Sequence, residues 1–264
     1  RRRGDRAGEQ RRRSVHGCGD KERGSRRGIP RLADGAVTKK DSIRQILSFL
    51  LLYNINTSTM KPEQLSIGIF IDGGYYAKIN EGLGKQLSMR LDIKNLFLYV
   101  REKISSTYSL PLEDIQVTEA HFFRGRYRAN DANAKHLLYS ERAFEDTLIE
   151  NDVIFHYKHL REMEKKDGIT VVEKGIDVWF ALETYELSMI RKFDFVILIT
   201  GDADHEMLVR KLNALKTKVI LLTWNVGPQA STSKLLKEEA GWHLELSNEC
   251  GKDKTLLNKI CRPL

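Results

Sequence analysis

Cysteine and proline are scarce in this 264-residue chain, which contains 3 cysteines and 5 prolines. Cys18, Cys250 and Cys261 show neither the paired spacing of a zinc site nor the even number that a disulfide framework requires. This scarcity argues against a disulfide-stabilised secreted domain and against a cysteine-based metal site. It favours a reducing, cytoplasmic compartment.

Long apolar runs are also missing from the sequence. The longest run near the N-terminus, residues 46–53, is too short to span a bilayer. It also lies too far into the chain to be an ordinary secretory signal. We therefore expect no membrane-spanning segment and no membrane partner.

Most of the chain has no excess of basic residues, although the formal net charge is +8. Residues 1–59 contain 15 Lys+Arg against 6 Asp+Glu, whereas residues 60–264 contain 29 against 30. The overall basic charge therefore belongs to the first segment. If the rest of the chain binds nucleic acid, it must do so through local patches.

Composition divides the chain into three predicted segments. Residues 1–59 are rich in Arg, Gly and Ser until about residue 42, and they bury too little apolar surface to offset the entropy of ordering. We predict a disordered basic leader there, either a nucleic-acid-binding tail or a leader that is not native to the protein. Residues 60–250 are expected to form one domain, and the polar residues 251–264 are expected to form a loose C-terminal tail.

Short apolar runs alternate with helical patterns after residue 60, which predicts an α/β, three-layer, Rossmann-like fold with a mostly parallel central sheet. Residues 124–128 are expected to form a loop, and residues 158–168 a polar connection before a short strand. The predicted strands are 67–71, 114–123, 153–157, 195–199, 219–222 and 242–246, and the predicted helices are 92–100, 133–150, 175–190, 208–215 and 231–240.

Carboxylates follow two of the predicted strands. Asp72 ends the first strand, whereas Asp202 and Asp204 follow the strand 195–199 after one Thr-Gly step. Asp177 falls in the first turn of the helix 175–190. Ligands of open α/β sheets bind beyond the carboxyl ends of the strands. If the two strands are neighbours, the four carboxylates can converge at one edge of the sheet.

Carboxylates that lie so close together repel one another unless a cation neutralises them. A set of aspartates without histidine favours Mg²⁺ or Mn²⁺ over zinc. Such a cation can activate water and neutralise charge on a scissile phosphodiester. Each aspartate also has a purely structural explanation. Asp204 is placed to cap a helix, Asp177 to complement a helix dipole, and Asp72 to form a turn.

Three segments together resemble the bacterial NYN-domain (LabA-like) family, within the PIN-like nuclease superfamily. They are residues 70–75 (FIDGGY), 174–178 (KGIDV) and 200–204 (TGDAD), and the resemblance extends over about residues 65–246. It implies a Rossmann-like sheet and a metal-dependent ribonuclease that acts on RNA. It also implies that the catalytic, metal-binding set is Asp72, Asp177, Asp202 and Asp204. Two positions depart from the family pattern: Tyr75 stands where many members have Asn, and His205 where an aromatic residue is common.

Basic and aromatic residues suggest where RNA would bind. Arg can pair with phosphates and Tyr can stack on an unpaired base, although a solvated loop has the same composition. Lys174 adjoins Asp177 and could either contact phosphate or pair with an acid. The predicted RNA-binding residues are Arg124, Arg126, Tyr127, Arg128 and Lys174, and the predicted accessory residues are Thr200 and His205.

Two other classes of function are alternatives to a ribonuclease. One is a non-catalytic RNA- or protein-binding module that keeps the acidic edge. The other is a different phosphoryl-transfer enzyme, which lacks support because residues 72–75 supply neither a G-x-G-x-x-G loop nor a second Asp two residues after the first. The sequence is compatible with a homo-oligomer and does not indicate which RNA is the target.

Overall fold

The computed structural model describes residues 64–128, 135–165, 168–227 and 230–264. The predicted leader of residues 1–59 lies outside these ranges. No helix in the described part of the chain is long and apolar enough to cross a lipid bilayer.

The strands are β1 Leu65–Asp72, β2 Met89–Leu91, β3 Ile115–Arg126, β4 Val153–His159, β5 Arg161–Lys165, β6 Gly168–Val172, β7 Phe195–Ile199, β8 Lys218–Thr223, β9 Trp242–Glu245 and β10 Cys261–Pro263. The α-helices are α1 Gly73–Leu87, α2 Ile93–Tyr108, α3 Lys135–Glu150, α4 Ile176–Arg191, α5 Glu206–Ala214, α6 Lys234–Glu239, α7 Leu246–Lys252 and α8 Leu256–Ile260.

Six parallel strands form the central sheet in the order β4-β3-β1-β7-β8-β9. β1 lies between β3 and β7, and Ile71 pairs with Ile199. The carboxyl ends of β1 and β7 are therefore adjacent, as the carboxylate argument requires. Every residue of β7 is buried because helices cover both faces of the sheet.

Alternate residues of β1 enter two separate cores. Ile69 and Ile71 face the side covered by α1 and α2, whereas Phe70 faces the side covered by α4, α5 and α6. The sheet thus lies between two layers of helices. This arrangement confirms the predicted three-layer, Rossmann-like α/β fold.

The connection between β4 and α4 differs from the prediction. β5 and β6 pair as an antiparallel hairpin where a polar connection was expected over residues 158–168. β3 continues through Arg126, so residues 124–126 are strand and not loop. The pairing of β3 with β4 extends to Arg126 and His159, which explains why both strands run on beyond their apolar segments.

The expectation of a loose C-terminal tail was wrong. Leu256, Ile260 and Cys261 are buried in the core on the α1–α2 side. β10 pairs with β2, and the backbone N–H of Asp92 donates to the carbonyl of Ile260 at 2.9 Å. The last residues therefore complete one layer of the fold.

Candidate active site at the carboxyl ends of β1 and β7

Asp72 ends β1 and is the N-cap residue of α1. Its Oδ1 accepts hydrogen bonds from the backbone N–H groups of Gly74 at 2.9 Å and Tyr75 at 3.1 Å. Its Oδ2 accepts one from the hydroxyl of Thr200 at 3.1 Å. Burial raises the pKa of Asp72 above its ordinary value, and these hydrogen bonds oppose that rise. The carboxylate is therefore desolvated in part and held in one orientation.

Thr200 and His205 lie behind Asp72 in the interior, where they are 0% and 1% exposed. Nδ1 of His205 is 3.0 Å from Oγ1 of Thr200. Because the single hydroxyl proton of Thr200 is donated to Asp72, this oxygen accepts from His205, which assigns a proton to Nδ1. Nε2 of His205 has no hydrogen-bond partner among the described residues, and the ring lies 4.5 Å from that of Phe180. The chain His205–Thr200–Asp72 thus orients the carboxylate from inside the protein.

The two aspartates that follow Thr200 occupy different places. Asp202 is exposed, and its Oδ1 accepts the backbone N–H of Asp204 at 3.0 Å, so it caps the short 3₁₀ turn Ala203–His205. Asp202 also lines a cavity together with Asp72. Asp204 is exposed and is not among the residues that line this cavity. The structure therefore brings Asp202, and not Asp204, into one cavity with Asp72.

Asp177 and Glu173 add negative charge on the other side of Asp72. Asp177 is exposed in the first turn of α4, and its charge raises the pKa of Asp72. Burial of the Glu173 carboxylate raises the pKa of that group, and the charges of Asp72 and Asp177 raise it further. Oε1 of Glu173 accepts the backbone N–H of Gly125 at 2.5 Å. Three carboxylates are thus close enough to influence one another electrostatically.

A preformed cage of four aspartates is not present in the described ranges. No three side chains of His, Cys, Asp or Glu are grouped there closely enough to hold one metal ion. Asp72 instead belongs to two arrangements, the cavity that it shares with Asp202 and the electrostatic group that it forms with Asp177 and Glu173. The oxygen-only chemistry of these donors suits Mg²⁺ or Mn²⁺ and not zinc.

The predicted RNA-binding residues have different environments. Arg126 forms ion pairs with Glu145 at 3.1 Å and Glu141 at 3.8 Å, both on α3, and lies 5.3 Å from the ring centre of Tyr157. Arg124 is half-buried. Burial raises the pKa of Glu141 and that of Glu173, and the charge of Arg124 opposes both rises.

Tyr127 is half-buried, whereas Arg128 and Lys174 are exposed. Tyr127 and Arg128 directly follow β3, and Lys174 lies just before α4. All three are at the edge of the sheet that carries Asp72. Arg128 and Lys174 are therefore accessible to solvent at this edge, whereas Arg126 is ion-paired with α3.

Two residues near the site were not found from the sequence. Glu173 follows β6 and reaches the backbone of β3. Nζ of Lys158 lies 3.0 Å from where a Cβ on Gly175 would stand, next to the N-terminus of α4. Lys158 lies at the start of the segment 158–168, which the sequence predicts to be a polar connection. The adjacency of Glu173 to the Lys-Gly-Ile-Asp segment was the one available signal for its role.

The family model of the NYN domain matches residues 66–246. This span contains β7, all of β1 except Leu65, and every residue of the site described above. No curated protein and no solved structure matches the chain.

Proposed function

Because the chain belongs to the NYN-domain family of the PIN-like nuclease superfamily, we propose that it is a metal-dependent ribonuclease that hydrolyses phosphodiester bonds in RNA. The observation that supports this proposal best is the state of Asp72. It is a partly desolvated carboxylate, fixed by three hydrogen bonds, at the edge of the sheet where α/β folds bind ligands.

The residues present fit Mg²⁺ or Mn²⁺ in a particular way. Mg²⁺ keeps several waters and is bound through one or two carboxylates together with substrate phosphates, and it does not need a dedicated protein cage. The lack of a three-ligand group among the described residues is compatible with that mode. Asp72 and Asp202 would hold the cation. When bound, it would neutralise charge on the scissile phosphodiester and lower the pKa of a water molecule.

The surrounding residues prepare this site for a cation. Thr200 and the backbone N–H groups of Gly74 and Tyr75 fix the direction of the Asp72 carboxylate, so little reorganisation is needed when charge changes there. Asp177 and Glu173 contribute negative potential that raises the local concentration of cations. Their influence does not require that either residue be a ligand.

Cleavage of a single-stranded RNA by the full chain, with and without Mn²⁺ and with EDTA, tests the proposal. Asp202→Asn should reduce kcat/KM by about 100-fold or more, because a bound cation supplies several kcal/mol of transition-state stabilisation. Asp146→Asn is the matched control, since Asp146 is exposed on α3 away from the site. Cleavage by Asp202→Asn at the parental rate would overturn the assignment of that residue.

Asp204→Asn provides an internal comparison with Asp202→Asn. The sequence predicts that it joins the catalytic set, whereas it does not line the cavity that contains Asp72. We propose that Asp204→Asn retains most of the activity that Asp202→Asn loses. Equal losses in the two variants would restore Asp204 to the catalytic set.

One observation favours a second function, a non-catalytic RNA- or protein-binding module. Tyr75 stands where many family members have Asn. Saturable RNA binding without Mn²⁺-dependent cleavage would support this alternative.

A further inference from the structure

The cavity that contains Asp72 and Asp202 has a second wall of opposite chemical character. The volume of the cavity is about 360 Å³, within the range of small-ligand sites. The residues of the second wall are Lys78 of α1 and three consecutive hydroxyl residues before α6, Ser231, Thr232 and Ser233. One cavity therefore combines two carboxylates with an ammonium group and hydroxyl groups.

The position of the hydroxyl residues is fixed relative to the carboxylates. The backbone N–H of Ser233 donates to the carbonyl of Gly201 at 3.0 Å. Oη of Tyr75 lies 3.3 Å from Oγ1 of Thr232 and 3.3 Å from the carbonyl of Ala230. A Cβ on Gly201 would stand 2.6 Å from the Tyr75 ring and 2.8 Å from the carbonyl oxygen of Ser231. The segment thus packs directly on the turn that carries Asp202.

Tyr75 consequently has a structural role that accounts for the departure from Asn at this position. Its ring is buried and its hydroxyl accepts the backbone N–H of Trp224 at 3.2 Å. It joins the start of α1 to the segment that follows β8. Tyr75 is larger than the Asn of many family members, and its ring and hydroxyl pack against the segment that carries the hydroxyl residues of the wall.

Lys78 is the charged member of this wall, and it is exposed. It forms no ion pair with a described residue, although two carboxylates line the same cavity. Lys85 on the same helix, by contrast, is paired with Glu81 at 2.5 Å. An unpaired ammonium beside hydroxyl donors is suited to a phosphate oxygen, which lysine binds as a point charge and hydroxyls bind by donation.

We propose that Lys78 and the hydroxyls of residues 231–233 bind a phosphate group of the RNA strand next to the one that is cleaved. This inference rests on the proposed function and identifies a subsite of the same cavity. The phosphate has two sources, an internal phosphodiester or a 5′-terminal phosphate monoester, which share the chemistry that Lys78 recognises. In either case Lys78 offsets the repulsion between the strand and the acidic wall.

Binding of single-stranded RNA to the full chain in EDTA tests the subsite without cleavage. Fluorescence anisotropy is measured with two oligonucleotides of one sequence, one with a 5′-hydroxyl and the other with a 5′-phosphate. Lys78→Ala should raise Kd about 3- to 10-fold, and the slope of log K against log salt should fall by about 0.7, as expected for one phosphate contact on a single strand. Lys85→Ala is the matched control and should change Kd by less than about 2-fold.

The two oligonucleotides distinguish the sources. Equal losses for both in Lys78→Ala indicate an internal phosphodiester, whereas a loss confined to the 5′-phosphorylated strand indicates a terminal phosphate. Parental affinity and salt slope in Lys78→Ala with both strands would overturn the proposal, as would equal losses in Lys85→Ala. Because no metal is present, a failure of Mn²⁺-dependent cleavage contradicts the ribonuclease proposal and leaves this result independent.

Thr232→Val provides a second variant. It removes one hydroxyl of the wall and keeps the ammonium of Lys78. It should weaken RNA binding without changing the salt slope, since no charge is lost. Unaltered affinity in this variant would overturn the part of the proposal that concerns Thr232.

Discussion

Replacing Thr200 by valine removes one buried hydroxyl while keeping the shape of the side chain. In the protein this hydroxyl donates to Oδ2 of Asp72 at 3.1 Å and lies 3.0 Å from Nδ1 of His205, and its oxygen also accepts the backbone N–H of Asp202 at 3.3 Å. Thr200 is 0% exposed, so water cannot replace these contacts. The substitution therefore tests whether the chain from His205 to Asp72 stabilises the fold.

The magnitude follows from the contacts of the hydroxyl with Asp72 and His205. A hydrogen bond to a charged group contributes about 1.5–3 kcal/mol, and a buried donor left without an acceptor costs about 1–3 kcal/mol. Since the two effects share one hydroxyl and the site can relax, we expect the free energy of unfolding to fall by about 2–4 kcal/mol. For a domain of this size each kcal/mol corresponds to about 2–4 °C in Tm.

A second buried threonine provides the matched control. Thr184 on α4 is also 0% exposed, but its hydroxyl has no hydrogen-bond partner among the described residues. Thr184→Val should therefore leave stability unchanged or increase it. Urea unfolding of both variants, followed by circular dichroism, gives the comparison. Equal destabilisation by the two valines would refute the argument, because it would show that hydroxyl loss as such, and not the contacts of Thr200, sets the cost.

Two further predictions concern regions away from the candidate site. Burial lowers the pKa of His121 and that of His156. Nδ1 of His121 lies 3.0 Å from Nε2 of His156. Because the folded pKa lies below the ordinary value of 6.5, the stability of the fold is complete above that pH. It falls as the pH drops through the folded pKa, by up to about 1.4 kcal/mol per pH unit for each imidazole. His156→Phe should flatten this dependence in urea unfolding, and an unchanged slope would contradict the explanation. At the C-terminus, Ile260→Ala should cost about 2–5 kcal/mol because Ile260 is 0% exposed. The exposed Ile190 should tolerate the same change within about 0.5 kcal/mol, and a small cost at both positions would mean that the last residues do not contribute to the core.

The mostly parallel sheet was accessible from the sequence, although the order of its strands was not, because buried parallel strands give a strong local signal. Residues 195–199 are apolar without interruption, and the structure buries each of them. The pairing of Ile71 with Ile199 then brings the strand ends together, so that Asp72 and Asp202 line one cavity. The same local reasoning missed α1, whose sequence contains four glycines. That helix depends on the cap at Asp72 and on the burial of Ile79 and Leu83.

The features that could not be predicted all depend on contacts between distant parts of the chain. The C-terminal residues are too sparsely apolar to predict a core element, yet Ile260 is buried where β10 pairs with β2. Glu173 becomes part of the site through a hydrogen bond to Gly125, after an antiparallel hairpin that a polar segment does not signal. The segment 231–233 reaches the cavity through its contacts with Gly201 and Tyr75.

The sequence predicts that Asp202 and Asp204 act together, whereas only Asp202 lines the cavity that contains Asp72, for a specific geometric reason. Asp202 and Asp204 are two residues apart, but Oδ1 of Asp202 binds the backbone N–H of Asp204 and closes a 3₁₀ turn between them. A turn of this kind directs successive side chains to different sides, so two adjacent acids do not make two adjacent ligands. The cavity instead pairs two carboxylates with Lys78 and a row of hydroxyls. A site with few protein ligands and a basic wall depends on the phosphates of its substrate to complete the coordination of Mg²⁺. If the protein is the metal-dependent ribonuclease that we propose, its metal affinity and RNA affinity should increase together, and neither should be high alone.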